Sequence, residues 1–368
     1  MWRRLVPILV VSAAIAGCTP TARQSPLWYM CKLPGADPNS LQRRAQACGQ
    51  IIRAGLASGD DLGLAYRLHA AALRLSGDPA DALKDIGRAL ALNGRDGAAY
   101  GERGLDELAL GRSDAAAGDF QTEVRLDPTS AEAFDHLSAI DLARNDPASA
   151  LREADRAIEL KPDRADTWMQ RGLAFVAKHR FDMAMADFAQ AAKLDPTETT
   201  ALDAAGDAAT AKGDAKAASD AYVQAEGVDM DRQDYRSARV EADKVLALTP
   251  KDPDALNASC WTRAIGDVDL GAAMADCQTS LTIRPGSAEV LDSRAFVEFR
   301  LGRFKDAIQD YNAALAKDPK LTSSLYMRGV SRLRAGDAAG RSDISAARNA
   351  DASIAGQYAS YGVTPEGQ

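Results

Sequence analysis

The chain has 368 residues, of which 46% are hydrophobic but only 6% aromatic, and its 52 acidic against 44 basic side chains leave a formal net charge of -8. That length allows two or three compact domains or one long array, and an Ala- and Leu-rich composition without period-2 apolar runs favours helix throughout. The acidic balance argues against nucleic acid as a partner and against charge-driven binding to anionic lipid.

The first eighteen residues, MWRRLVPILVVSAAIAGC, combine a basic start at Arg3 and Arg4 with an apolar run from Leu5 to Ile15 and small residues before a cysteine. This is too short for a spanning helix of about 20 residues, so residues 1–17 read as an export leader. Ile15-Ala16-Gly17-Cys18 resembles the lipobox of bacterial lipoproteins. The resemblance implies that the leader is cut before Cys18, that its thiol receives diacylglycerol and that the new amine is acylated. The alternative is an ordinary cleavable signal with an incidental cysteine. Several acyl chains, at about 0.8 kcal/mol per buried methylene, would hold the protein on a membrane without spanning it. Thr19 stands where the lipoprotein retention signal would place Asp, which points to the periplasmic face of the outer membrane. Residues 18–38 then form the anchor and a tether, with Pro, Thr and Ser concentrated in Thr19–Leu27. Without the leader the charge becomes -10, from 42 basic and 52 acidic groups.

Four cysteines remain, in a compartment that permits disulfides. Cys31 and Cys48 bracket a loop and a helix start. Cys260 and Cys277 fall on the small site of one helix and the large apolar site of the next, two positions that face each other, so a Cys260–Cys277 bridge is expected and a Cys31–Cys48 bridge beside it. The alternative is four buried free thiols acting as small hydrophobes. No pair has CxxC or metal-ligand spacing.

Residues 39–62 hold one unpaired N-terminal helix, Asn39–Ala57, with Ala45, Cys48, Ile51 and Ile52 on one face. A 34-residue unit follows, clearest in Ala165–Glu198: Trp168 at position 4, Gly172 at 8, Phe175 at 11, Ala184 at 20, Phe188 at 24, Ala191 at 27 and Pro196 at 32. Apolar residues at helical spacing on two segments split near His179 and Arg180 make a helix pair, in which the small residues allow close approach and the proline stops continuation. The same frame runs through 63–96, 97–130 and 131–164 and, with Met230 replacing the proline, 199–232. These residues resemble the tetratricopeptide repeat (TPR) family. The resemblance implies an all-α, right-handed TPR solenoid whose helix pairs stack around a concave, protein-binding groove, since a pair this short cannot bury its own apolar face.

Pro196 to Pro250 spans 54 residues, one repeat plus 20, so 233–250 holds an extra helix, Tyr235–Leu248, without a visible partner. A bend near Gln233, or a local insertion without effect on shape, would accommodate it. The frame resumes for about three repeats over 253–352, and 353–368 reads as a capping helix and tail.

Positions 2, 5, 9, 12 and 13 of the first helix line the groove in this family. They select Leu105, Leu108, Asp135, Leu142, Met169, Leu173 and Val176, an apolar strip edged with acid. Such a strip suits a helix or extended segment carrying Lys or Arg, or else it only packs neighbouring repeats. The three histidines, His69, His136 and His179, lie in separate repeats, and neither a nucleophile elbow nor a phosphate loop occurs. The expectation is therefore no enzyme, no cofactor, no metal and no nucleic acid. A membrane-anchored periplasmic scaffold or adaptor is expected instead, such as TPR lipoproteins provide for cell-wall enzymes or for secretion, pilus and outer-membrane assembly. A glycan- or peptide-binding module is the alternative. Against a glycan platform, most aromatics occupy frame positions 4, 11 or 24.

Overall fold

The computed structural model describes residues 25–365. The leader, Cys18 and the start of the tether lie outside the described residues. All regular structure among the described residues is helical, and the chain divides into two compact units, Met1–Arg144 and Asn145–Gln368.

The first unit holds α1 (Pro26–Cys31), α2 (Pro38–Arg53), α3 (Gly59–Leu75), α4 (Pro79–Leu92), α5 (Gly97–Ala109), α6 (Ser113–Leu126) and α7 (Ala131–Ala143), each packed on the next. Helix starts carry local caps: the Asp37 carboxylate accepts from Ser40 N at 3.0 Å, and Asp78 and Asp96 cap α4 and α5 in the same way. Each such cap contributes about 1 kcal/mol. Two expectations are corrected here. The segment read as tether contains α1, because Trp28 and Cys31 are buried against α2. Nor is α2 unpaired: α1 and α3 both pack on it around one apolar cluster.

The second unit holds α8 (Pro147–Leu160), α9 (Ala165–Ala177), α10 (Phe181–Leu194), α11 (Thr200–Lys212), α12 (Ala215–Asp231), α13 (Tyr235–Leu248), α14 (Pro253–Ile265), α15 (Leu270–Ile283), α16 (Ala288–Arg300), α17 (Phe304–Lys317), α18 (Thr322–Arg334), α19 (Gly340–Ala350) and α20 (Ile354–Ser360). Small residues at position 8 set the hairpin spacing in both units. A Cβ on Gly104 would sit 2.8 Å from the Phe120 ring, and one on Gly172 or Gly206 would come closer still to Phe188 or Tyr222. Trp168, at position 4, is only half-buried; its indole N–H donates to the Pro162 carbonyl at 2.8 Å and Arg171 lies over its ring.

The turn after each first helix places position 15 in the left-handed region, as at Gly111 (φ 74°) and Gly302 (φ 73°). Asn145 and His179 hold the same place with φ of 59° and 55°, and so does Gln233 at 62°. This explains the extra helix. Ser219–Asp252 is itself a 34-residue repeat, with Tyr222 at position 4, Gln233 at 15, Ala238 at 20, Ala242 at 24, Val245 at 27 and Pro250 at 32. The partner of α13 is α12, which runs 17 residues, packs on α11 as a second helix and on α13 as a first one. Glu226 stands at position 8 of this overlapping repeat, where the adjoining repeats carry the smaller Gly206 and Cys260, and burial pushes its carboxyl up to about 7.

Candidate functional site

The strip selected from the sequence does not form an open apolar floor. In the first unit Leu105 and Leu108 are half-buried and pack against Ala116, Phe120 and Leu137, Asp135 is 5% exposed, and Leu142 is half-buried. In the second, Met169 and Val176 pack against Phe175 and Phe188, and only Leu173 stands out, at 40% exposed. The physical reason is volume. The surrounding positions are Ala-rich, so the longer side chains drop into space the alanines leave. Cys31 is bonded to Cys48 and Cys260 to Cys277. His69 meets Asp85 at 2.5 Å and His136 stacks on Phe120, both within their own unit.

The same frame positions in the last repeats carry different chemistry. Trp261 and Phe296 stand at position 9, Tyr326 at 5, Phe299 at 12 and Arg300 at 13, so these aromatics depart from the 4, 11 and 24 pattern. They put a row of rings on the first helices α14, α16 and α18. Against that row lies the chain's own C-terminal segment. Helix α20 does not extend the stack as a cap would; it turns back onto α18, and residues beyond it continue to α14. Tyr358 stacks on Tyr326 at 5.4 Å between centroids and meets Phe296 edge-on at 5.7 Å. Tyr361 meets Trp261 edge-on at 5.9 Å and Tyr235 at 5.4 Å. Val363, at 2% exposed, completes the contact.

Polar bonds fix the segment's main chain. Arg300 donates through Nε to the Ala264 carbonyl at 3.0 Å and through Nη2 to the carbonyls of Ile265 and Tyr361, at 3.2 and 2.5 Å. Burial pulls its guanidinium below the ordinary range. Arg334 donates to the Thr364 carbonyl at 3.1 Å. Beneath Tyr358 lies Asp292, whose carboxylate accepts from the hydroxyls of Ser323 and Ser324; burial raises its pKa to about 6. The neutral acid is thus favoured in the fold, and its contribution is fully present below the unfolded value of 3.8 and lost as pH rises through about 6. The loss is on the order of 3 kcal/mol. Asp292→Asn should flatten this dependence, so that urea unfolding shows the variant gaining on the parent chain between pH 4 and 7.5; parallel curves would refute it.

Sequence reading also missed a repeated ion pair between position 7 of a first helix and the following second helix. Arg103 reaches Asp119 at 2.6 and 2.8 Å, Arg171 reaches Asp187 at 2.8 Å twice, Arg294 reaches Asp310 at 2.5 and 2.7 Å, and Arg328 reaches Asp343 at 2.8 Å twice. The recurring Arg and Asp, 16 residues apart in three of the four pairs, were the available signal. These bidentate pairs orient hairpins and consume charges that a binding reading would otherwise claim.

Tetratricopeptide-repeat models match residues 68–131 and 140–199, and a second such model matches 288–321. These segments are tetratricopeptide repeats, and such repeats imply a protein-interaction scaffold. DnaJ homolog subfamily C member 3 of Rattus norvegicus is 24% identical over 220 residues, 59% of this chain and 42% of that protein. The UDP-N-acetylglucosamine–peptide N-acetylglucosaminyltransferase of Giardia intestinalis is 39% identical over 72 residues, 20% of this chain and 5% of the enzyme. The chain therefore spans less than half the length of either curated relative. Among solved structures, the C-terminal part of a TPR repeat-containing protein from Cytophaga hutchinsonii aligns over 73% of this chain and 98% of its own, with 16% identity and a TM-score of 0.48.

Proposed function

We propose that this chain is a scaffold of the bacterial cell envelope, tethered through a lipidated Cys18 to the periplasmic face of the outer membrane, which recruits a partner protein on the first helices of its repeats. One observation carries the recruiting role: the face of α14, α16 and α18 holds a peptide segment already, by aromatic side chains and by arginine bonds to main-chain carbonyls. That is a peptide-in-groove mode of recognition. The leader and the Ile15–Cys18 pattern support the anchor, and TPR lipoproteins of this kind serve cell-wall enzymes or envelope assembly. Two disulfides, Cys31–Cys48 between α1 and α2 and Cys260–Cys277 within a repeat, suit export. The aromatic row offers no open platform for a glycan, because Phe296, Phe299 and Tyr326 are at most 8% exposed.

The test has two arms. Cys18→Ala should move the protein from the membrane pellet to the soluble fraction; retention in the pellet rules out the lipid anchor. A photo-crosslinking residue at Trp261 of the full chain should trap a discrete envelope protein, and the trapped band should weaken at least tenfold with Phe296→Ala. A band indifferent to Phe296→Ala would remove this face from the recruiting role.

A further inference from the structure

We infer that the face of α14, α16 and α18 is a receptor for an uncharged segment of the form aromatic-x-x-aromatic-x-aliphatic, and that residues 354–364 occupy it in cis, so that a partner segment of this chemistry binds by displacing them. This rests on the recruiting role proposed above and adds the partner's chemistry and the competition.

Three features of the contact set it apart from ordinary packing between repeats. The anchors are few and periodic: Tyr358 and Tyr361 lie one helical turn apart and Val363 two residues on, each at most 9% exposed. Together they touch α13, α14, α16 and α18, at residues from 126 to 32 positions earlier in the chain, whereas a repeat contacts only its neighbours. The second feature is what the charged groups bind. Arg300 and Arg334 donate to the carbonyls of Tyr361 and Thr364, groups that any peptide offers, so affinity is independent of those side chains and selectivity lies in the ring pockets. The third is the slightness of the occupant. Helix α20 has seven residues and no side-chain cap at its start, and a helix so short is held by its docking alone. Losing that docking frees the segment without breaking a hairpin.

A tethered occupant acts at millimolar effective concentration. A partner's apparent affinity is lowered by the fraction of time the face is open. The tail thereby admits a segment that fills both aromatic pockets and excludes one that fills a single pocket.

The experiment uses a fluorescent peptide of residues 352–365 and the full mature chain. Tyr358→Ala/Tyr361→Ala in the protein should empty the face and bind the peptide at least tenfold more tightly than the parent chain. The same peptide carrying both alanines should not compete. Hydrogen exchange on the parent chain supplies the measurement that needs no variant: amides of Gln357, Tyr361 and Val363 should exchange at least 100-fold faster than those of α16. The inference is overturned by a folded variant that does not take up the peptide, or by tail amides that exchange only with α16, which would make the tail an integral cap. A dimer formed through exchanged tails, seen in sedimentation, would assign the face to a second copy and overturn it as well. If the peptide fails while the crosslink at Trp261 persists, the recruiting role stands and only this partner chemistry falls.

Discussion

Gly340→Val is expected to unfold the hairpin of α18 and α19 and to cost about 3 kcal/mol or more. A Cβ at Gly340 would overlap the backbone carbonyl oxygen of Gly329, and one at Gly329 would lie 2.7 Å from the carbonyl of Gly340. The two helices cross with main chain against main chain. At Gly104 the obstacle is a phenyl ring, which can tilt; here neither side can yield without moving a helix. Because Tyr326 on α18 receives Tyr358, the variant should also release the C-terminal segment. Urea unfolding followed by the exchange of tail amides measures both effects. Gly356→Ala is the control: nothing lies within 4 Å of its added Cβ, and alanine is preferred to glycine in a helix by about 0.5–1 kcal/mol. Equal stability of Gly340→Val and Gly356→Ala would mean that the helices do not cross where they are placed.

Replacing Cys260 and Cys277 by alanine is the second large effect, about 3 kcal/mol of stability lost. The bond closes a loop of 17 residues of separation between α14 and α15, so its removal returns conformational freedom to the unfolded chain. Both side chains are fully buried and packed with Ala273, Ala264 and Phe296, so alanine also leaves a small void in the cluster beneath the aromatic row. Trp261 follows Cys260 directly, and a loosened α14 should show in its fluorescence before global unfolding. Reduction with a thiol should reproduce the alanine pair. A midpoint unchanged by either treatment would show that the bridge contributes nothing to the second unit.

Much of the fold was legible because its signals are local and repeated. Gly172, Ala184, Phe188 and Pro196 recur at a 34-residue period, and a period of that kind is visible in one sequence without any knowledge of neighbours. The placement of Cys260 and Cys277 was legible for the same reason, since two frame positions that face each other in one repeat do so in all. The extra helix Tyr235–Leu248 was legible too, but its partner was not. Glu226 and Asp229 occupy the small and large apolar sites of the overlapping repeat, so the pattern that marks a first helix is absent from α12 even though the helix plays that part. Only packing on both sides shows it.

The groove divides along the same line. Family positions named Leu105, Leu108, Asp135, Leu142, Met169, Leu173 and Val176 correctly as residues of the first helices, but whether such a residue faces solvent or a neighbour depends on the volume of side chains in adjoining repeats. That volume is a property of several segments at once. Trp261, Phe296, Phe299 and Tyr326 sit at the same frame positions and were equally open to selection. Their meaning came from Tyr358 and Tyr361, which the sequence places up to about a hundred residues away. The amino-acid sequence by itself determined the repeat, its helices and turns, and the facing placement of Cys260 and Cys277, because each depends on spacing within one unit. The tertiary structure alone decided that α12 belongs to two repeats and that residues 354–364 fill the face of α14, α16 and α18, because those contacts join segments that no local period connects.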